Sequence, residues 1–397
     1  MGGLVHSRIK WILARLIVAA LALSGAFSEL VAQESQNPKF NSKAAFAILL
    51  DSRSGKVYFE NNADALMAPA SMSKIMTMIM VFEGLKSGRL HLSDEFTISE
   101  NAWRHGGAAS GGSTMYAVVN SRVRLEDLMQ GVIIQSANDA GIAIAEGIAG
   151  SEEAFADQMT RRARELGLKK SVFKNANGLP HPEHRVTARE LAQLARYVIE
   201  VFPNEYRLYS RPEFTWNNIR QQNRNPLLGS YPGADGVKTG YTDQSGYGLV
   251  GSAERHGRRL IVVVNGLKTA RDRAAEARKL LDFGFRQFHF YDLFGANETV
   301  GHARVWGGTS SWVRLVAREP VRVLLSEQEK PNARTEIVYR GPLIAPVREN
   351  QEVGFMRLTV DGKVVSRVPV ITGGSVSRST DMWRRALDSV MFMAFGG

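Results

Sequence analysis

Ser71 and Lys74 lie three residues apart in the segment Ser71-Met72-Ser73-Lys74, and they have the chemistry of a nucleophile and its base. A serine hydroxyl is a poor nucleophile until a base removes its proton. Residues three apart on a helix share one face, so the amine would lie beside the hydroxyl. Apolar neighbours would lower the pKa of the amine and favour the neutral form that acts as a base. A nearby carboxylate would oppose this effect, and the sequence leaves that balance open.

A second polar segment, Ser136-Ala137-Asn138, follows the apolar, helix-like run from Leu128 to Ile134 and is predicted to lie at a break in the helix. A hydroxyl at Ser136 can relay a proton between Lys74 and a departing amine, so Ser136 is the third candidate catalytic residue. The amide of Asn138 can hold a carbonyl group of a substrate. The alternative is a polar turn between two helices, because serine, asparagine and aspartate favour turns.

The third segment, Lys238-Thr239-Gly240, has the chemistry of a carboxylate-binding strand. Thr239 offers a hydroxyl, Lys238 adds positive charge, and Gly240 lets a substrate backbone come close. The backbone N–H groups of Ser71 and Tyr241 are the predicted oxyanion hole. Each segment alone is common by chance. All three in this order predict acyl transfer through a serine ester.

Hydrophobic patterns predict the elements that would position these residues. The helix that opens near Ser71 is apolar on nearly every side from Met72 to Phe82, as expected for a helix buried in the middle of a domain. The other predicted elements are strands at 45–50, 56–59, 247–253 and 259–265, and helices at 125–148, 152–166, 188–202 and 271–283. Thr187 and Glu190 form a predicted capping box. This order predicts an α+β catalytic domain at residues 40–288, with an antiparallel sheet flanked by helices.

Strand-like alternation takes over in residues 295–374 and predicts a small all-β domain, with Asp361-Gly362 as the turn of a hairpin. Residues 376–397 predict a C-terminal amphipathic helix, in which Trp383 lies on the apolar face and Arg384 on the polar one. We favour an anchor that lies in the plane of a membrane surface. A helix docked on its own domain is the alternative.

Residues 1–32 have the features of a secretory signal peptide: a basic start, an apolar run from Leu16 to Leu23, and small residues suited to cleavage. Arg15 beside the apolar run leaves an uncleaved anchor as the alternative. The chain has no cysteine, which excludes a disulfide framework and a thiolate site. Its net charge of +11 is compatible with an anionic partner, such as a phospholipid surface or a carboxylate-bearing polymer, and a solvated basic surface without a specific partner is the alternative. No nucleic-acid motif accompanies that charge.

The segment His181-Pro182-Glu183-His184 contains residue types that bind metals. The proline breaks helical presentation, and no third ligand is apparent nearby. We therefore predict a surface loop and no metal site here.

Taken together, the motifs resemble those of the low-molecular-mass penicillin-binding proteins that are serine-type D-alanyl-D-alanine carboxypeptidases. The resemblance extends to further segments and covers nearly everything from about Lys43 to the C-terminus. The segments are Pro69 to Lys74, Gly112 to Met115, Gln135 to Asp139, Gln222 to Asn225, Asp235 to Gly240, and Arg273 with Glu276 to Leu281. The family implies the β-lactamase/transpeptidase-like fold and requires neither a cofactor nor a metal.

The resemblance also implies a role for each site residue. Ser71 would form the acyl-enzyme, with Lys74 as its base, while Ser136 and Asn138 would flank the leaving group. The substrate-binding set would be Asn138, Lys238, Thr239, Gly240 and Arg273, of which Lys238, Thr239 and Arg273 would bind the terminal carboxylate. Tyr241 departs from the family pattern, in which histidine often follows this segment, and this puts the pH profile and the deacylation rate in question.

The function implied is removal of the terminal D-alanine from the pentapeptide side chains of peptidoglycan, with β-lactam antibiotics as covalent inhibitors. The place implied is the periplasmic face of the inner membrane. A β-lactamase is the first alternative, although Glu190 lies in a regular predicted helix and no loop suited to a deacylating glutamate is apparent. A cell-wall-binding scaffold without turnover is the second alternative.

Overall fold

The structure is a computed structural model that describes residues 40–383 together with Ala386 and Val390. The predicted signal peptide and most of the predicted C-terminal helix lie outside the described residues. All contacts given below lie within the unit that begins at Ala44.

The elements are numbered in chain order. The α-helices are α1 Lys74–Lys86, α2 Glu100–Gly106, α3 Leu125–Gln130, α4 Asn138–Ala149, α5 Glu152–Glu165, α6 Ala188–Val201, α7 Pro203–Tyr206 and α8 Ala270–Gln287. The strands of the first half are β1 Phe46–Asp51, β2 Val57–Asn61, β3 Glu95–Thr97, β4 Arg122–Arg124, β5 Glu213–Trp216, β6 Ile219–Gln222, β7 Ala234–Thr242, β8 Gly246–Arg255 and β9 Arg258–Leu267. The remaining strands are β10 Phe288–Phe294, β11 Thr299–Trp306, β12 Trp312–Ala317, β13 Val321–Ser326, β14 Ala333–Tyr339, β15 Leu343–Ile344, β16 Glu352–Val360 and β17 Lys363–Thr372.

The main sheet has five antiparallel strands in the order β2-β1-β9-β8-β7. Its central strands are buried on both faces, because side chains alternate across a strand and helices cover each side. Ile48 belongs to the large core that includes α1 and α6. Leu49, its neighbour, points to the other face, where α8 packs so closely that a Cβ at Gly284 would lie 2.8 Å from it.

Helix α1 is the buried central helix that the sequence predicts, and a 3₁₀ turn over Ala70–Ser73 leads into it. The predicted helical stretch over residues 125–148 is interrupted at the break that the sequence indicates after Ile134. Helix α3 passes into a π-helical turn at Gly131–Gln135, the backbone then turns at Ser136, and α4 begins at Asn138. Apolar periodicity runs through the π-helical turn, so the pattern alone did not distinguish that turn from an α-helix.

Thr187 caps α6 as predicted, because the backbone N–H of Glu190 donates to its hydroxyl oxygen at 3.0 Å. The reciprocal half of the capping box is wrong. The Glu190 carboxylate accepts hydrogen bonds from the Lys170 N–H and the Ser171 hydroxyl instead. The predicted surface loop is also wrong for His184, which is buried against Phe173. Burial lowers the pKa of His184 to about 3.

The second half of the chain is all-β. One sheet has the order β14-β16-β17-β12-β11-β15, and β10 pairs with β13. Asp361 and Gly362 join β16 to β17 with φ angles of 48° and 74°, as the predicted two-residue hairpin requires. The predicted strands are therefore present, and the α+β fold followed by an all-β domain is confirmed.

Contacts near Phe288 join the all-β part to the main sheet. The ring of Phe288 stacks on Tyr58 at a centroid distance of 4.0 Å. The amine of Lys56 in the turn before β2 donates to Glu329 and to the carbonyl oxygen of Leu324. The strand β10 follows α8 without a linker, so the two parts share a covalent and a packed connection.

Among the described residues, no helix is long and apolar enough to cross a membrane. Met382, Trp383, Ala386 and Val390 are helical and exposed. The predicted start of this helix at residue 376 is wrong, because Val376 and Arg378 form isolated β-bridges with Val347 and Gly308, and the described helical residues begin at Met382. The remaining residues of the predicted helix lie outside the described residues, so that part of the predicted fold is not confirmed.

Candidate active site

Ser71 lies in the 3₁₀ turn that precedes α1, on a backbone held in an unusual conformation. Its neighbour Ala70 has a φ of 47°, a region that residues with a side chain rarely adopt and that clusters at functional sites. Gly178 packs against this turn, and a Cβ there would lie 1.8 Å from the carbonyl oxygen of Ala70. A glycine is therefore required at 178 to bring this loop against the nucleophile turn.

Lys74 is fully buried beneath Ser71, and its amine has three partners. Nζ lies 3.1 Å from Ser71 Oγ, 2.8 Å from Asn138 Oδ1 and 2.9 Å from the carbonyl oxygen of Asn177. The two amide oxygens can only accept hydrogen bonds. A neutral amine satisfies them with its two N–H groups and keeps its lone pair for the Ser71 hydroxyl. The geometry therefore suits a neutral lysine that takes the serine proton.

Burial lowers the pKa of Lys74 to about 7, and nearby charges adjust that value. Glu152 and Asp139 raise the pKa, whereas Arg224 lowers it. The sequence left open whether burial or a nearby carboxylate controls the pKa of Lys74. Burial has the larger effect, so the pKa is lowered. At neutral pH a substantial fraction of Lys74 is neutral.

Ser136 follows the π-helical turn and has a φ of 66°. π-Helical turns occur frequently at functional sites because they redirect the residues that follow them. Here the turn brings Ser136 to the wall of the same cleft as Ser71. In the described part of the chain, its hydroxyl is not a hydrogen-bond partner of the Lys74 amine, so the predicted proton relay stays a prediction.

Asn138 and Asn177 form a bridge behind the lysine. Asn138 Oδ1 accepts from Lys74, and its carbonyl oxygen accepts from Asn177 Nδ2 at 3.1 Å. Asn138 was predicted to contact the substrate, and no role was predicted for Asn177. The only local signal for Asn177 is the turn Asn175 to Gly178, in which Asn175 Oδ1 accepts three backbone N–H groups.

Asp139 is a second buried residue that sequence reasoning did not assign. Its carboxylate accepts from the Thr114 hydroxyl at 2.6 Å and from the backbone N–H groups of Met115, Ala117 and Ala140. These bonds join the start of α4 to the segment after Gly112. Asp139 thereby fixes Asn138, its neighbour, relative to the wall of the cleft.

The Lys238-Thr239-Gly240 segment lies in β7, which is the edge strand of the main sheet. One row of its backbone groups is therefore not used by β8 and faces the cleft. Thr239 and Gly240 line the cleft, and a Cβ at Gly240 would lie 3.0 Å from the carbonyl oxygen of Pro69. This close approach sets the edge strand directly beside the nucleophile turn.

Lys238 is buried behind the cleft wall and does not line it. Its amine donates to the carbonyl oxygen of Thr239 at 3.2 Å. Burial, followed by repulsion from Lys74, Arg224 and Arg273, lowers its pKa well below the ordinary value. Lys238 was predicted to contact the substrate carboxylate directly, but its amine does not reach the surface of the cleft in this structure.

Arg273 and Arg224 are the cations that do line the cleft. The guanidinium of Arg273 lies 5.6 Å from the ring centroid of Tyr247, and its buried Nε has no hydrogen-bond partner among the described residues. Tyr247 stacks in turn on Tyr241 at 4.2 Å. Arg224 lies in a segment that resembles the family, yet no pattern assigned it a role.

The cleft has a volume of about 680 Å³. It brings together Ser71, Ser136, Asn138, Thr239, Gly240 and Arg273 from the predicted site, and Lys74 and Lys238 lie buried next to it. The described residues that line the cleft include two arginines and neither aspartate nor glutamate. Among the described residues, no cluster of three metal-binding side chains is found. The site therefore suits an anionic substrate that reacts with a serine.

A helical and antiparallel-sheet domain with a serine, a buried lysine and a basic cleft defines the class of serine acyl transferases that includes the penicillin-binding proteins. A family model described as D-alanyl-D-alanine carboxypeptidase matches residues 31–269, and one described as penicillin-binding protein 5, C-terminal domain, matches residues 288–378. The chain belongs to the D-alanyl-D-alanine carboxypeptidase family and is a serine-type D-alanyl-D-alanine carboxypeptidase.

Individual proteins that the chain resembles belong to the same family. The chain is 40% identical to D-alanyl-D-alanine carboxypeptidase DacC of Escherichia coli (strain K12) over 87% of this chain and 86% of that protein. Penicillin-binding protein 5 from Haemophilus influenzae superposes with a TM-score of 0.70 at 33% identity, covering 86% of this chain and 99% of that one. Penicillin-binding protein D2 from Listeria monocytogenes, solved in the ampicillin-bound form, matches with a TM-score of 0.57 at 30% identity over 63% and 100%.

The β-lactamase alternative is not favoured. Its deacylating glutamate would have to reach the cleft, but Glu190 is buried in contact with Lys170 and Ser171, and it does not line the cleft. Both the comparisons and the position of Glu190 thus support the carboxypeptidase.

The pH dependence of acylation follows from the charges around Lys74. Only neutral Lys74 can accept a proton, so kcat/KM should rise with pH and level off above about 7. Glu152→Gln removes a charge that raises the pKa and should move this limb to lower pH. Arg224→Gln removes a charge that lowers the pKa and should move the limb to higher pH. The measurement is the pH profile of kcat/KM for a D-Ala-D-Ala peptide.

Glu200→Gln, in an exposed i,i+4 pair with Arg196, is the matched control and should leave the midpoint of the limb unchanged. A limb that stays in place in both Glu152→Gln and Arg224→Gln would show that another group controls the acid side of the profile.

Proposed function

We propose that Ser71 is the nucleophile and Lys74 the base of this carboxypeptidase. The observation that carries the proposal is the arrangement around Lys74 Nζ. Its N–H groups donate to Asn138 Oδ1 and to the carbonyl oxygen of Asn177, and Ser71 Oγ lies 3.1 Å away. A desolvated amine in this arrangement has its lone pair available for the serine proton.

Acylation then proceeds by addition and elimination. Ser71 Oγ attacks the carbonyl carbon of the penultimate D-alanine while Lys74 takes the hydroxyl proton. The backbone N–H groups of Ser71 and Tyr241 stabilise the negative oxygen of the tetrahedral intermediate. Ser136 passes the proton from Lys74 to the amine of the last D-alanine, the C–N bond breaks, and D-alanine leaves. The product is an ester between Ser71 and the shortened peptide.

Deacylation uses the same groups in reverse order. A water molecule takes the place of the departed amine and gives a proton to neutral Lys74 as it attacks the ester. The proton returns to Ser71 Oγ, and the tetrapeptide is released. No described carboxylate lines the cleft, which supports Lys74 as the base in this half-reaction as well.

Arg273 and Thr239 are proposed to bind the terminal carboxylate of the substrate, with Lys238 behind them. The free Nε of Arg273 and its stacking on Tyr247 support this assignment. A carboxylate near Lys238 would oppose the repulsion that lowers its pKa and would favour protonation of the amine. Arg224 is the second cation that lines the cleft. Asn138 and Gly240 would contact the backbone of the substrate peptide.

The biological substrate is proposed to be the pentapeptide of peptidoglycan, and β-lactam antibiotics are proposed to acylate Ser71. A β-lactam carries a carboxylate beside a strained amide, so the same serine and cations can hold it. The ampicillin-bound relative supports this extension.

We propose the following division of the chain: a signal peptide at residues 1–32, a catalytic domain at 40–288, a β domain at 295–374 and a C-terminal segment at 376–397 that carries the anchor helix. The second family match begins at residue 288, which supports the boundary at the end of the catalytic domain. The signal peptide would direct export, and the enzyme would act on the periplasmic face of the inner membrane.

The C-terminal helix is proposed to anchor the enzyme peripherally. Met382, Trp383 and Val390 are 78%, 86% and 60% exposed, respectively, so these apolar side chains are not covered by the folded protein. Trp383 is of the type that prefers a membrane–water interface, where an apolar ring and a polar N–H are both accommodated.

Ser71→Ala should abolish both D-alanine release and covalent labelling by penicillin, since it removes the only atom that can form the ester. The matched control is Ser73→Ala, which removes a hydroxyl that donates to the Ala70 carbonyl oxygen in the same turn. Intact mass after incubation with penicillin measures the adduct. An adduct on Ser71→Ala would assign the nucleophile elsewhere.

Arg273→Gln should slow turnover of a peptide that ends in a free carboxylate by about ten- to a hundredfold, since a hydrogen bond to a charged group contributes roughly 1.5–3 kcal/mol. The amidated peptide, which is already a poor substrate, should be affected much less. Arg271→Gln, an exposed arginine on the same helix, is the control. Equal losses on both peptides would show that Arg273 does not recognise the carboxylate.

Deletion of residues 381–397 should weaken binding of the enzyme to vesicles that contain anionic lipid and leave peptide hydrolysis unchanged. The deletion starts after Thr380 because Ser379 is still part of the β domain. The N–H of Ser379 donates to the Gly307 carbonyl oxygen. Co-sedimentation with vesicles is the measurement. Equal partition of the shortened and the full-length mature protein would mean that the helix is no anchor.

A further inference from the structure

One outer face of the β domain carries large apolar side chains beside arginine. In the sheet register, Arg304 of β11 is opposite Trp312 of β12, and Trp306 of β11 is opposite Ile344 of β15. Residues 304 and 306 point to the same side of their strand, which is the side away from the core residues Ala303 and Val305. Trp306 itself is buried at 8% exposure, so the three exposed residues on this side, Arg304, Trp312 and Ile344, are called the β11 face below.

The apolar side chains of the β11 face are exposed to solvent. Trp312 is 49% exposed and Ile344 is 60% exposed. The guanidinium of Arg304 lies 5.4 Å from the ring centroid of Trp312, so a positive charge and an aromatic ring are presented together. Single exposed apolar residues are ordinary, but Trp312 and Ile344 lie on the same side of one sheet, on the two strands that flank β11.

The surroundings of the β11 face are positively charged. Arg340, Arg348 and Arg378 are exposed on segments next to it. Neither Arg304 nor any of these three guanidiniums forms an ion pair with a carboxylate of the described residues. Glu349 and Asp381 are the nearby acidic residues in sequence. The charge of this region therefore complements an anionic surface.

The chain leaves the β domain at the same place. Backbone contacts join residues 377–379 to the loop after β11. Arg378 and Gly308 form an isolated β-bridge, the N–H of Thr309 donates to the Ser377 carbonyl oxygen, and the N–H of Ser379 donates to the Gly307 carbonyl oxygen. The loop after β11 and the end of the domain are thus side by side. The exposed Met382 and Trp383 follow within four residues of Ser379.

We propose that the β11 face binds the surface of an anionic phospholipid membrane directly, as a contact separate from the C-terminal helix. Tryptophan with arginine suits the interface, because the ring enters the headgroup region while the guanidinium meets phosphate. With two contacts, the β domain would stand on the membrane in one orientation and hold the catalytic cleft at a fixed height. The proposal does not depend on the assignment of the catalytic residues.

The β domain provides a matched comparison in Phe290 and Arg322. Phe290 is 50% exposed, and Arg322 lies 6.0 Å from its ring centroid, so this pair has the same chemistry as Trp312 and Arg304. Arg322, however, is paired with Asp292 at 2.6 Å, and its charge is neutralised. The Phe290 pair lies on the β10–β13 sheet and is therefore the control site.

The experiment uses the full-length mature protein with vesicles of phosphatidylcholine, with and without phosphatidylglycerol. The double variant Trp312→Ser with Ile344→Ser should weaken binding to the anionic vesicles by about tenfold. Arg304→Gln should weaken it by about fivefold, and salt should reduce that difference. Phe290→Ser should bind like the parent. Peptide hydrolysis should be unchanged in all variants, since these residues lie in the β domain and not in the cleft.

A second measurement identifies what the face touches. The chain has no cysteine, so Ser310→Cys beside the face and Gln328→Cys near the control site each accept one polarity-sensitive dye. A blue shift on anionic vesicles for Ser310→Cys alone supports the proposal. Unchanged vesicle binding by the double variant would overturn it, whether or not Trp383→Ser reduces binding. A double variant that loses binding to purified peptidoglycan and keeps binding to vesicles would also overturn it, in favour of a glycan surface.

Discussion

The catalytic domain depends on a lysine amine that is buried under a serine. An ammonium group in that position would lack water, so burial favours the neutral form and supplies a base at neutral pH. The same burial requires partners for the N–H groups, and the carbonyl oxygen of Asn177 and the side chain of Asn138 provide them. Asp139 holds Asn138 in place, and Gly178 allows its loop to pack against the nucleophile turn. Much of the core around α1 serves to exclude water from this one amine.

The edge of the main sheet is the second constraint on the cleft. An edge strand has free backbone groups, and proteins usually cover or pair them. Here β7 lies against the Ser71 turn, and Gly240 permits the close approach. The free row is therefore available to a substrate in an extended conformation. Positive groups surround this position without a lining carboxylate, which explains why a substrate with a free carboxylate suits the cleft.

The β domain is held to the catalytic domain through Tyr58, Phe288, Lys56 and Glu329. Such a packed and charged contact limits rotation between the two parts, so an orientation imposed on the β domain is transmitted to the cleft. A lipid-facing β11 face would therefore matter to the enzyme beyond attachment. It would determine which direction the cleft faces relative to the cell wall.

The sequence by itself determined the reacting groups, the fold class and most strands, because side-chain chemistry and alternation are local properties. It located Ser71 and Lys74 on one helical face and Asp361-Gly362 in a hairpin. Only the tertiary structure decided the rest. Asn177 acts through its backbone carbonyl oxygen, which no side-chain pattern encodes, and Lys238 is buried because of how β7 packs. The break at Ser136 was predicted, but the π-helical turn that makes it was not, because such a turn keeps the apolar periodicity of its neighbours. Desolvation of Lys74, and with it the pKa that makes it a base, depends on distant segments that meet only when the chain is folded.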